Sequence, residues 1–441
     1  MFDQAGDRNR SARLASAIAA ALALTMPAAG AQAGTTERVS VTTDGAQVNK
    51  TSFGPIGISA SGRFVAFVSE ARSLVPDDTN DRTDVFVHDR LNGQTQRASI
   101  ATSGAQANDD SPSSGLAISA DGRIVAFDTQ ASNLVPGATN SLFDDIFVRN
   151  LRTGRTEQVS LGMGSTPTNG VNLRPALSAT GRFVAFDSNA SNLVRGDTNG
   201  AFDVFLSDRR AGQIERISVA TGGAQGNDFS CCASISADGR FVAFESGAAN
   251  LVPGDTNGVR DVFVRDRQTG RTERISLRTG GGQGDDASFR AAISADGRFV
   301  AFESDATNLV PGDTNGVRDI FIRDRQTGRT ARVSLGVGDV QADLGSARAS
   351  ISSDGRFVAF ESDATNLVPG DTNRLVDVFV RDRLTGRTER VSVSASGAQG
   401  NNGGDEPMIS GDGRSVAFLS FSTNLVPGDT NKAGDIFVRT R

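Results

Sequence analysis

The sequence predicts an all-β fold, a seven-bladed β-propeller of four-stranded antiparallel blades. Three observations predict it. A block of about 58 residues recurs seven times, with the arginine of its first turn at Arg63, Arg123, Arg182, Arg240, Arg298, Arg356 and Arg414; such a period marks one supersecondary unit that buries its apolar faces against its neighbours. Each of the first six blocks holds four short segments of strand character, separated by turn residues. The seventh block stops after its third segment, Asp435-Ile436-Phe437-Val438-Arg439, while Thr35-Thr36-Glu37-Arg38-Val39-Ser40 matches the fourth segment of other blocks, Thr272-Glu273-Arg274-Ile275-Ser276. The N-terminal segment is therefore expected to complete the last blade and shut the ring, where an open solenoid would leave edge strands exposed. A parallel β-helix has shorter periods and is not punctuated by hairpin turns.

In chain order, residues 1–33 precede the repeat. Arg8, Arg10 and Arg13 lead into an apolar run, Leu14 to Leu24, followed by Ala31-Gln32-Ala33. This has the form of a secretory signal peptide, and its apolar run is too short for a membrane span. Residues 34–441 are expected to form one propeller domain, exported to a periplasm or to the outside, monomeric, with no transmembrane segment. Residues 1–33 carry three Arg against two Asp, so removing their net +1 from the formal −6 leaves −7. That acidity argues against nucleic acid, which needs a basic footprint.

The fifth block shows the order within a blade. Ala291-Ala292-Ile293-Ser294 is a first strand of small residues, suited to a crowded axis. Asp296-Gly297 makes a tight turn into Phe299-Val300-Ala301-Phe302, apolar on both faces as a strand between two sheets should be. After a long loop comes Asp319-Ile320-Phe321-Ile322. A Thr327-Gly328 turn leads to Thr330-Ala331-Arg332-Val333-Ser334, polar at alternate positions like an outer edge. The core SADGRFVAF…DVFVRDRQTGRTERVS resembles the TolB-type, WD-repeat-like propeller repeat, in seven copies over residues 35–441. The resemblance implies a periplasmic or secreted binding scaffold. The additional N-terminal domain of TolB is not seen in this sequence.

Two sets of residues stand out on the face that carries the loops between the second and third strands. One is a repeated Asp-x-Asn-x-x-x-Asp: Asp78/Asn80/Asp84, Asp197/Asn199/Asp203, Asp255/Asn257/Asp261, Asp313/Asn315/Asp319, Asp371/Asn373/Asp377 and Asp429/Asn431/Asp435, with Ala138 replacing the first Asp in blade two before Asn140 and Asp144. Calcium takes six to eight hard oxygens, and this spacing offers several, although it lacks the closing Glu of an EF-hand loop. The competing expectation is ordinary turn chemistry, in which Asp and Asn bond their own backbone. The other set lies four residues before the first-strand Ser of each blade: Pro55, Gly115, Arg174, Cys232, Arg290, Arg348 and Glu406. These should ring the axis, where Arg174, Arg290, Arg348 and Glu406 form a candidate ligand site for an anion or a carboxylate. The opposite face carries Asp-Gly-Arg and Thr-Gly-Arg turns, expected to be solvated tips with Arg–Asp pairs.

Several residue types narrow the chemistry. A single histidine, His88, expected at an exposed strand end, argues against a His-dependent triad or a multi-His metal site. No Gly-x-Ser-x-Gly elbow occurs. The chain has 26 Phe but no Trp or Tyr, which weakens a lectin role. Cys231 and Cys232 are adjacent, would close a strained ring if oxidised, and are expected to be structural thiols. The resulting expectation is a non-catalytic scaffold that binds a protein or peptide partner. A calcium-stabilised structural protein is the alternative, and a carboxylate-dependent hydrolase a third.

Overall fold

Seven four-stranded antiparallel sheets follow one another around a common axis, as the repeat predicts. The computed structural model describes residues 34–112, 114–137 and 142–441. The expected signal segment, residues 1–33, lies outside these, as do Ala138 and Asn140 of the second acidic loop. Among the described residues no helix is long and apolar enough to cross a membrane.

Blade five is representative: Ser288–Ile293, Phe299–Ser304, Asp319–Asp324 and Arg329–Arg332, paired in that order. First strands of successive blades touch one another around the axis. The first strand begins three residues before the expected small-residue segment. Its register breaks between Phe289 and Ala292, and the same break recurs in every blade except the second. Between blades, the second and third strands each contribute a Phe to a stacked pair, Phe302–Phe321 in blade five, with ring centroids 5.8 to 6.2 Å apart through all seven. These rings are buried, and each fills the seam to a neighbouring sheet together with Val and Ala of the same strands.

Ring closure has two parts. Blade seven consists of Asp405–Ile409, Ser415–Ser420 and Asp435–Thr440, with Thr36–Arg38 as its outer strand; Thr36 pairs with Arg439 and Arg38 with Phe437. At the hairpin end, the turn after each first strand donates a backbone hydrogen bond to the next blade. Ala60 donates to Ala120, Ala120 to Ala179, Ala179 to Ala237, Ala237 to Ala295, Ala295 to Ser353 and Ser353 to Gly411, and Asp412 donates back to Ala60, at 2.8 to 3.0 Å. The peptides make a closed belt.

The hairpin tips carry the expected ion pairs. Arg63, Arg182, Arg240, Arg298 and Arg356 each grip an aspartate of the third strand with two nitrogens, Arg298 on Asp324 at 2.9 and 2.7 Å, and each guanidinium lies over the adjacent Phe ring. His88 departs from expectation. It is buried, bonded through Nδ1 to Thr95 Oγ1 at 2.9 Å, and burial lowers its pKa. It occupies the third-strand position where Arg149, Arg265, Arg323 and Arg381 reach the equivalent Thr.

The N-terminal strand should carry much of the closure energy. Arg38 lies almost buried between Asp429 and Asp435, 3.3 Å from each. Removing one partner from such a group costs about 3–5 kcal/mol, so Arg38→Ala should lower the thermal midpoint by several degrees. An unchanged midpoint by circular dichroism would mean that the last blade does not depend on this pairing.

Candidate functional site at the central mouth

The two residue sets picked out in the sequence have different fates. In each of the six complete acidic loops, a guanidinium from the fourth strand lies between the two aspartates. Arg97 is 3.1 and 3.0 Å from Asp78 and Asp84, and Arg216 is 3.3 and 3.2 Å from Asp197 and Asp203. Arg274 is 3.0 and 2.9 Å from Asp255 and Asp261, and Arg332 is 3.1 Å from both Asp313 and Asp319. Arg390 is 3.2 and 3.4 Å from Asp371 and Asp377, and Arg38 serves Asp429 and Asp435. The second aspartate also accepts from a fourth-strand serine, as Asp319 does from Ser334 and Asp435 from Ser40.

The asparagines clamp the loop that joins one blade to the next. Asn80, Asn199, Asn257, Asn315, Asn373 and Asn431 donate to the carbonyls of Ala107, Gly226, Gly284, Ala342, Gly400 and Val48. The oxygens left without a hydrogen bond in these loops include Asp78 Oδ1, itself in the Arg97 pair, and Asn257 and Asn315 Oδ1. The arginine stands where an ion shared by the two aspartates would sit, so the expectation of calcium gives way to an internal ion pair.

Blade two supports this by exception. Its first Asp is Ala138, and its arginine is replaced by Gln158. Both charges are lost together, and Asp145 is left among Ser160, Thr168 and Asn172. Burial without a guanidinium raises its pKa to about 6.

The second set does ring the axis. Pro55, Gly115, Arg174, Cys232, Arg290, Arg348 and Glu406 all line one cavity of about 990 Å³ that opens on the loop face. Arg174, Cys232, Arg290, Arg348 and Glu406 sit at the register break of their strands with φ between 45° and 61°. A non-glycine residue in this left-handed region is strained, and a specific contact holds it. The fifth residue of the second strand in the preceding blade is a carboxylate that accepts the backbone N–H of the strained residue. Asp128 accepts from Arg174, Asp187 from Cys232, Glu245 from Arg290, Glu303 from Arg348 and Glu361 from Glu406, at 2.7 to 3.0 Å. In the two remaining blades that residue is Val68 or Leu419, and the mouth positions that follow are Gly115 and Pro55. A Cβ on Gly54 would lie 1.3 Å from Glu406 Oε2, so a larger residue there would displace that carboxylate.

Charge in the mouth is mixed. Arg348 bridges Glu361 at 3.3 Å and Glu406 at 2.6 Å, and Arg174 lies 3.4 Å from Asp187. Arg290 has a carboxylate, Glu303, no closer than 4.0 Å, and its side chain is 54% exposed. Two further arginines escaped the sequence reading. Arg260 lies between the rings of Phe229 and Phe289 and 3.0 Å from Glu245; Arg318 covers the other face of the wall, over Phe289, and pairs with Asp305 and Glu303. Both precede the third-strand Asp, a position that reads Thr83, Asp144, Phe202, Arg260, Arg318, Val376 and Gly434 through the blades. That variation within an otherwise regular loop was the available signal. Burial raises the pKa of Glu303 and Glu361, and raises Asp187 to about 7. Cys231 and Cys232 lie in the same wall with their sulfurs 3.0 Å apart. The Cys231 thiol is pushed up, first by its contact with Cys232 and then by burial.

No family model matches the sequence, and no curated protein matches it. Solved structures match through the fold. An oligogalacturonate lyase from Vibrio parahaemolyticus aligns with a TM-score of 0.56 at 11% identity, over 92% of this chain and 93% of its own. An oligogalacturonate lyase in complex with manganese gives 0.54 at 13% identity, over 92% and 96%. The acylaminoacyl peptidase of Pyrococcus horikoshii gives 0.50 at 12%, over 87% of this chain and 50% of its own. TolB from Acinetobacter baumannii is also matched, at 0.40 and 16% identity over 87% and 81%; with no family model matched, the narrower TolB-type repeat family is not shown.

Such identities establish a shared fold alone. They still correct one expectation. The expectation of a non-catalytic scaffold rests in part on the lack of a His triad and of a nucleophile elbow. Enzymes are built on this propeller, and the lyase is matched over nearly its whole length. Those missing motifs exclude two chemistries, not catalysis.

Two outcomes follow from the acidic loops. Arg274→Ala should cost about 3–5 kcal/mol, since it strands two buried carboxylates, whereas added calcium should leave the melting midpoint of the native chain unchanged. A calcium-dependent rise, lost in Asp255→Ala, would restore calcium to these loops. Asp145 has a folded-state pKa of about 6 against an ordinary 3.8, so between those values the folded chain holds a proton that the unfolded chain has released. Its contribution is present below about pH 4 and is lost as pH rises through about 6. Urea unfolding at pH 5 and pH 8 should show a smaller loss of stability in Asp145→Asn than in the native chain.

Proposed function

We propose that the central mouth binds a small carboxylate-bearing molecule and performs acid–base chemistry on it. The observation that carries this is Arg290, a guanidinium standing in the mouth with more than half its side chain exposed and its nearest carboxylate at 4.0 Å. A planar guanidinium pairs with a carboxylate through two parallel hydrogen bonds. Arg348 in the next blade and Arg174 two blades back are each already neutralised, and set the polarity of the rim without competing for the ligand. The Phe229–Arg260–Phe289–Arg318 stack makes a stiff, flat wall against which a ring can lie. Glu303, which lines the cavity, supplies a carboxyl group whose raised pKa suits it to exchange protons nearer neutrality.

The cavity, about 990 Å³, is at the upper end of the ~300–1,000 Å³ typical of small-molecule sites. It therefore has room for more than an isolated carboxylate. An oligomer of uronate sugars, the substrate class in the lyases' names, is the first ligand to try, with citrate as the free-carboxylate comparison.

Calorimetry at low salt with trigalacturonate and citrate tests the proposal, with unsaturated product absorbance reporting elimination. Arg290→Gln should weaken binding by about 10-fold or more, the size of a lost charge-assisted hydrogen bond of about 1.5–3 kcal/mol, with the melting midpoint preserved. Absence of binding by either probe, or indifference to Arg290→Gln, would sink it.

A further inference from the structure

We propose that Cys231, Cys232 and Asp187 form a binding site for one thiophilic divalent cation of the zinc class in the wall of the mouth. This does not rest on the carboxylate-ligand reading. Adjacent residues of a regular strand point to opposite faces. Here the register breaks between Cys231 and Ser234, and Cys232 takes φ 61°, so the two sulfurs approach to 3.0 Å. Asp187, from the preceding blade, brings a carboxylate oxygen to the pair, and the three ligand atoms lie within 4.8 Å of one another. Cys231 Sγ is also 3.3 Å from Glu245 Oε1.

A second observation points to a ligand. Asp187 is fully buried, and its Oδ2 takes the Cys232 N–H and the Arg174 guanidinium while its Oδ1 has no hydrogen-bond partner. A buried acceptor left unpaired costs about 1–3 kcal/mol, and a cation would satisfy it. Charge also balances: two thiolates and a carboxylate around a doubly charged ion sum to −1, which Arg174 cancels at 3.4 Å from Asp187. Two sulfurs and an oxygen select zinc over calcium, magnesium or manganese, which prefer oxygen alone. Tetrahedral zinc with bonds of about 2.3 Å sets its sulfurs ~3.8 Å apart, so the thiols must separate by less than about 1 Å. Binding releases the thiol protons to solvent. Three protein ligands leave a fourth coordination position, as in catalytic rather than structural zinc sites, and both cysteines line the cavity. The pair is confined to one blade; its counterparts are Leu173-Arg174, Phe289-Arg290 and Ala347-Arg348.

The test uses the full chain, reduced, with two free thiols counted chemically before zinc or cadmium is added and with no organic ligand present. One ion per chain should bind in the micromolar range or tighter. Cadmium should give the ultraviolet charge-transfer absorbance of thiolate ligation, and zinc should protect both thiols from alkylation. Cys232→Ser should weaken binding by about 100-fold or more, since changes outside the ligand shell alone cost about 10- to 100-fold. His88→Ala should leave it unchanged. Asp187→Asn should also weaken it, and the cysteine variant stands alone if that chain does not fold. No saturable binding with both thiols counted free, or binding that survives Cys231→Ser/Cys232→Ser, would overturn the site. Either result is read without a uronate and so is separable from the carboxylate proposal.

Discussion

A ring of sheets exists only if its last blade meets its first, and that constraint organises this molecule. Closure is made twice, at opposite radii. On the outside, Thr36–Arg38 supplies the strand that blade seven lacks. Near the axis, the belt of turn peptides ties each blade to its neighbour. The first strands are thereby crowded against one another, which admits residues such as Ala291, Ala292 and Ala349 there and sends the large Phe pairs to the seams. The mouth lies along that axis, lined by the register-break residues of the first strands.

Repetition and irregularity then carry different information. What recurs in six blades, the acidic loop with its Arg, Asn and Ser, has a structural account: it neutralises buried charge and pins the loop between blades. What varies from blade to blade includes the mouth residue, which lines the cavity in all seven, and the residue before the third strand, which lines it at Arg260 and Arg318. The candidate chemistry lies where the repeat is broken. The thiol pair is the sharpest break, replacing an aromatic or aliphatic residue and an arginine with two sulfurs.

The blade count, strand order and closure were legible because they depend on spacing and turn residues, which are local. The mouth ring was legible from a fixed offset, four residues before the first-strand Ser. The partner of each acidic loop was not, since Arg274 lies 19 residues beyond Asp255 and on the blade's outer strand. Arg260 and Arg318 were passed over because they sit inside a loop read for its carboxylates. The burial of His88 was hidden by its position at a strand end, which says nothing of the neighbouring blade packed over it. The scaffold reading failed for another reason: absent motifs argue only against the chemistries that use them.

The carboxylates behind the mouth have one more consequence. Each fixes the backbone of the next blade through a main-chain N–H, which every residue except proline possesses. The support is therefore blind to the side chain it presents, and Arg, Cys and Glu all occupy the same support. Exchanging the side chain at one blade's mouth position therefore changes the rim without touching the contact that holds its backbone.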